Sequence, residues 1–131
     1  MKALSIQQPW AWAILYAGKR VENRTWYSSF RGLIYIHAGL TVDKNSVEDL
    51  EAEILRVPDP RPKAYRGALV GTARVTGCVS PEQVPVEQIS WACGPWCFLL
   101  DDVKPLEKPI AYKGQLGFFE VSIPAAPEAN R

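Results

Sequence analysis

Apolar and polar positions alternate at Leu4 and Ile6 around Ser5, which predicts a short first strand. Pro9 is placed where a helix begins, because the first helical position needs no amide donor. Trp10, Ala13, Ile14 and Ala17 then recur at helical spacing, and Gly18 ends the run. Trp12, Leu15 and Tyr16 fill the remaining sides, so this helix is apolar nearly all round and is expected between other elements. Arg20 to Tyr27 reads as extended, and residues 28–32 as a turn. Leu33 to Ala38 forms the next strand, apolar on both faces and closed by Gly39, as in a central strand or a barrel wall.

The second half is dominated by strands. Ser46 and Asp49 resemble a capping box before Val47, Leu50, Ile54 and Val57, the apolar face of a helix whose other face is acidic. Pro58, Pro60 and Pro62 exclude a continuing helix and predict a loop. Gly67 to Val79 is a long strand, with Gly71 and Gly77 expected at bends that curl a sheet. Trp96 to Val103 and Leu116 to Ile123 supply two more. Several strands, two helices and no βαβ rhythm predict a small α+β fold around a mixed barrel. Its extent is read as one domain over 1–124, with a frayed tail over 125–131.

Composition narrows the function. Fifteen Lys and Arg against fourteen Asp and Glu give a formal net charge of +1, which excludes a protein that holds nucleic acid by bulk charge. The charge is uneven, however: residues 1–40 contain Lys2, Lys19, Arg20, Arg24 and Arg31 against Glu22 alone, and residues 41–60 are acidic. A local basic surface is therefore expected from the first forty residues, with Arg61, Lys63 and Arg66 beside it. The longest apolar run, Trp10 to Ala17, falls far short of the roughly 20 residues of a membrane span. With no secretory pattern at the N-terminus, a cytoplasmic location and no membrane partner are expected. Cys78, Cys93 and Cys97 are odd in number, and the three residues between the last two fit neither a redox nor a zinc spacing.

The chemistry is concentrated in Gly18-Lys19-Arg20-Val21-Glu22-Asn23-Arg24-Thr25-Trp26. Alternation in an extended chain puts Glu22, Arg24 and Trp26 on one side. A guanidinium oriented by a carboxylate suits phosphate, and a tryptophan face stacks an unpaired base. The alternative is a surface ion pair capped by an aromatic ring.

Ser5-Ile6-Gln7-Gln8-Pro9-Trp10-Ala11, Lys19-x-x-Glu22-x-Arg24-x-Trp26, Gly32 to Gly39, Gly94-Pro95-Trp96 and Lys113-Gly114 together resemble the ASCH domain (ASC-1 homology) from Leu4 to about Val121. The resemblance implies a PUA-like mixed β-barrel flanked by helices, with a cleft for RNA or a nucleotide-like ligand. Carried onto this chain, the site would comprise Lys19, Glu22, Arg24 and Trp26, with Gln8, Trp10, His37 and Lys113 beside them. Gly18 stands one position later than the family's glycine. Some relatives resemble amidohydrolases of acetylated cytidine that have Lys-x-x-Thr-x-Arg; here Glu22 replaces the threonine hydroxyl and favours an ion pair with Lys19. Nuclease activity is also associated with relatives. A cofactor-independent hydrolase using Lys19 and Glu22 is thus the alternative to a binding module, and a protein-interaction module is the third reading.

His37 is the single histidine. Its strand of apolar neighbours predicts a hydrogen-bonded core or cleft position, and neither a metal site nor a Ser–His–Asp triad can be argued from it. No glycine-rich phosphate loop is present, so no cofactor is expected.

Overall fold

A computed structural model describes residues 1–43 and 66–123. The helix expected over 46–57, the proline loop, Arg61, Lys63 and the tail lie outside the described residues. β1 (Lys2–Gln8) leads into helix α1 (Trp10–Tyr16), followed by β2 (Val21–Arg24), β3 (Gly32–Val42), β4 (Ala68–Val79), β5 (Trp96–Ala111) and β6 (Phe118–Glu120). Two short 3-10 turns, Pro81–Gln83 and Val86–Trp91, connect β4 to β5. The six strands form one mixed sheet in the order β2-β5-β4-β3-β1-β6, parallel only at β1–β3.

The sheet curls into an open barrel. A flat sheet would separate β5 from β6 by four strand spacings, roughly 19 Å. Phe98 of β5 instead stacks on Phe118 of β6 with ring centroids 5.7 Å apart, and Trp26, just past β2, meets both rings edge-on at 5.1 and 5.7 Å. Leu4, Ile6, Ile14, Ile34, Ile36 and Phe98 fill the interior. The β4–β5 register shifts between Leu69 and Gly71 and again between Val75 and Gly77, so the two glycines stand at the irregularities that bend the sheet. A Cβ at Gly71 would lie 2.9 Å from the Lys104 carbonyl oxygen, which explains why no side chain fits at that bend.

Several boundaries differ from the sequence expectation. Gly39 does not close β3, which continues to Val42 beside β1; the glycine is there because a Cβ would come within 2.9 Å of Ser5 Oγ. β5 runs on past Val103 through Pro105 and Pro109. β2 pairs with Trp96 to Leu99, so among the described residues the rest of β5 has an outer edge on which a missing N–H breaks no ladder bond. β6 is just three residues long. The helix itself starts at Trp10, one residue after Pro9, and Gly18 follows it at φ 78° as the left-handed position expected after a helix end.

Candidate functional site

The curl leaves a gap between the two edge strands at one end of the barrel, and the charged segment lines it. Lys19 follows the turn after α1, and β2 then carries Glu22 and Arg24 on one face. Lys19 is 2% exposed. Its ammonium donates to the Val21 carbonyl and to Glu22 Oε1, 3.3 Å away, and lies 5.5 Å from the centroid of the Trp10 ring. Glu22 Oε2 accepts from Arg24 Nε at 3.1 Å and pairs with Nη2 at 3.0 Å. Nη2 also donates to the Ser5 carbonyl at 2.7 Å, tying β2 to β1 across the opening.

Together these groups wall a cleft of about 650 Å³. Its aromatic side is a corner. Trp10 and Trp91 meet at 6.3 Å with planes 88° apart, and Asp43 Oδ2 holds the Trp10 indole N–H at 3.1 Å. Asn23 steadies the loop behind Trp91: its amide donates to the Trp91 carbonyl, while its oxygen accepts from the backbone N–H groups of Cys93 and Gly94. Among the described residues on the walls, Lys19 and Arg24 stand with Glu22 and Asp43, two cations with two carboxylates.

A second pocket of about 380 Å³ adjoins the first, and Ser5, Gln115 and Leu116 line both. His37 and Lys113 lie on this second pocket. His37 is 1% exposed, with Nδ1 2.9 Å from Ser5 Oγ and Nε2 2.7 Å from the Tyr112 carbonyl oxygen. Cys93 lines the first cleft, whereas burial pushes the Cys97 thiol upward in pKa. Among the described residues no cluster of His, Cys, Asp and Glu is arranged to hold a metal ion, and no helix is long and apolar enough to cross a membrane.

The structure thus brings Lys19, Glu22, Arg24 and Trp10 together and sets His37 and Lys113 next door. Two residues go elsewhere. Gln8 is buried and accepts the Trp12 backbone N–H at 3.0 Å, serving the start of α1, while its neighbour Gln7 lines the cleft. Trp26 lies beyond the end of β2, where strand alternation no longer applies, and packs into the aromatic closure against Phe98 and Phe118. Ser5 and Asn23 stand inside the segments the sequence singles out but carry no signal of their own there, and Asp43 and Trp91 carry no local sequence signal. Trp91 sits 65 residues or more from the segment it faces and is placed by the β2–β5 pairing.

The family model of the ASCH domain matches residues 4–118. Activating signal cointegrator 1 of Mus musculus is 38% identical over 85 residues, 61% of this chain and 15% of that protein. Its counterpart in Homo sapiens is 39% identical over 87 residues, with the same coverage. The chain therefore spans a small part of the length of these relatives. Among solved structures, ASCH from Zymomonas mobilis aligns over 84% of this chain and 72% of its own at 18% identity and a TM-score of 0.46, and a mutant form of that protein at a TM-score of 0.48.

Proposed function

Starting from the fact that this chain belongs to the ASCH domain family, we propose that its larger cleft binds an unpaired nucleotide, within single-stranded RNA or as a smaller nucleotide-containing ligand. The observation that carries this reading is the right-angled Trp10–Trp91 corner opening beside the Lys19–Glu22–Arg24 chain. A base stacks against one ring while its edge meets the second, an arrangement a duplex cannot enter without unpairing. Arg24 supplies the phosphate contact: Nε and Nη2 are committed to Glu22 and Ser5, leaving Nη1 without a partner among the described residues. The cleft's volume lies within the range of small-ligand sites. Arg24 as the phosphate-contacting cation implies few phosphate contacts and a shallow dependence on salt.

Fluorescence anisotropy with a short single-stranded RNA checks this. Affinity should fall as salt rises, and Arg24→Ala should flatten the slope by about one phosphate contact, near 0.7 in log K per log salt. Trp91→Ala should weaken binding by about 1–3 kcal/mol at every salt concentration. Duplex RNA should compete poorly. Equal binding by an Arg24→Ala/Trp91→Ala double variant would remove the site from consideration.

The hydrolase alternative centred on Lys19 and Glu22 fits the geometry less well. A general base needs an available lone pair near the reacting proton, yet both Glu22 oxygens hold cations and Lys19 is enclosed. Incubation with N4-acetylcytidine is accordingly expected to give no cytidine release that Lys19→Met abolishes, as followed by chromatography.

A further inference from the structure

The buried histidine bears on a second kind of chemistry. A carbonyl oxygen only accepts, so the 2.7 Å contact with Tyr112 O fixes the proton of His37 on Nε2. Nδ1 is then the lone-pair nitrogen, and the Ser5 hydroxyl, 2.9 Å away, donates to it. A hydroxyl, a base and a third group orienting the base are the elements of an activated nucleophile, here with a main-chain carbonyl in the orienting position. We infer that Ser5 Oγ is a nucleophile, activated by His37, that cleaves carboxylic esters whose acyl group occupies the smaller pocket.

Three further observations separate this pair from a histidine that is merely satisfied in a core. Ser5 stands on the seam between the two pockets, so a bond lying across the seam passes its side chain. β6 pairs with β1 only as far as Leu4, so among the described residues no strand pairs with the outer edge of β1 at Ser5, where Arg24 holds the carbonyl. Backbone without side chains crowds the pair from two directions: a Cβ at Gly39 would sit 2.9 Å from Ser5 Oγ, and one at Gly114 would sit 2.8 Å from His37 Cε1 and 3.2 Å from Ser5 Oγ. The smaller pocket has largely apolar walls that include Leu40, Gly67, Tyr112 and Leu116, suiting a short hydrocarbon acyl chain. Lys113 lines the same pocket, and Arg24 lines the larger one with Ser5; both are cations placed to favour a developing oxyanion.

In the acylation step Ser5 Oγ bonds to the ester carbonyl carbon as its proton passes to His37 Nδ1. The carbon–oxygen bond to the alcohol then breaks, and Nδ1 returns that proton to the departing oxygen. Water repeats the sequence on the acyl-serine, releasing the carboxylic acid and restoring the hydroxyl. Ester and water are consumed, and acid and alcohol are formed.

The test uses the full chain with p-nitrophenyl acetate, butyrate and octanoate and contains no nucleotide, so its failure would leave the nucleotide-binding reading standing. Release of p-nitrophenol should begin with a burst, and peptide mapping by mass spectrometry should place the acyl group on Ser5. Butyrate should react faster than acetate. Ser5→Ala should abolish the burst, Ser5→Cys should restore acylation as a thioester, and His37→Gln should slow it by about 100-fold or more. Thermal melts report whether each variant is folded. Acyl groups confined to lysines, or Ser5 acylation that proceeds equally in folded His37→Gln, would overturn the assignment.

Discussion

Replacing Glu22 by alanine is expected to destabilise the protein by about 3–5 kcal/mol, the cost of leaving a buried charge without its partner. Lys19 is 2% exposed, and among the described residues its ammonium would retain the Val21 carbonyl and the Trp10 ring. Arg24 would lose its carboxylate partner in the same step and keep the Ser5 carbonyl alone among its described contacts. The comparison with Lys19→Met decides whether charge or packing is responsible. There Glu22 keeps Arg24 at 3.0 Å, and the methionine side chain fills the space beside Trp10, so the cost should stay below about 1.5 kcal/mol. Urea unfolding reads both: the midpoint of Glu22→Ala should drop much further than that of Lys19→Met, with the slope unchanged. Equal shifts would show that the carboxylate is not what makes the buried ammonium tolerable.

The second large effect is expected at Phe98, whose ring is fully buried and meets both Trp26 and Phe118. Phe98→Ala should cost about 3–5 kcal/mol, because it removes a large core side chain at the place where non-adjacent strands close on one another. Trp26→Ala should also lower stability and reduce near-ultraviolet circular dichroism. It should change RNA affinity less than Trp91→Ala does, because Trp26 faces the closure and not the cleft. A larger loss of affinity from Trp26→Ala would reinstate it as a stacking residue.

The features legible in the sequence are those encoded within a few residues of one another. Alternation around Ser5 and helical spacing from Trp10 predict β1 and α1, and Lys19, Glu22 and Arg24 share a site because three neighbours on one turn and strand cannot be far apart. Bends at Gly71 and Gly77 were likewise visible as glycines within a strand pattern. The remainder depends on register. His37 lies opposite Ser5 because β1 and β3 pair in parallel with those two residues aligned, and nothing near either residue announces it. The proline-containing end of β5 resembles loop until it is known that, among the described residues, one of its edges has no partner strand. Trp26 misleads for the reverse reason: it follows the alternation of β2 on paper, but the strand ends two residues earlier.

The place of β1 between β3 and β6 also governs when the protein can fold. Its Lys2, Ala3 and Leu4 are made more than a hundred residues before their outer partners, Glu120, Phe119 and Phe118. At roughly 5–20 residues per second, the ribosome adds these more than a hundred positions later, so the N-terminal strand spends several seconds with an open edge. Contacts of such long sequence separation also slow folding of the finished chain. During that interval an exposed strand edge can pair with another nascent chain. A chain released before Phe118 should keep β1 as an unpaired edge and aggregate during synthesis, whereas one extended through Glu120 should not.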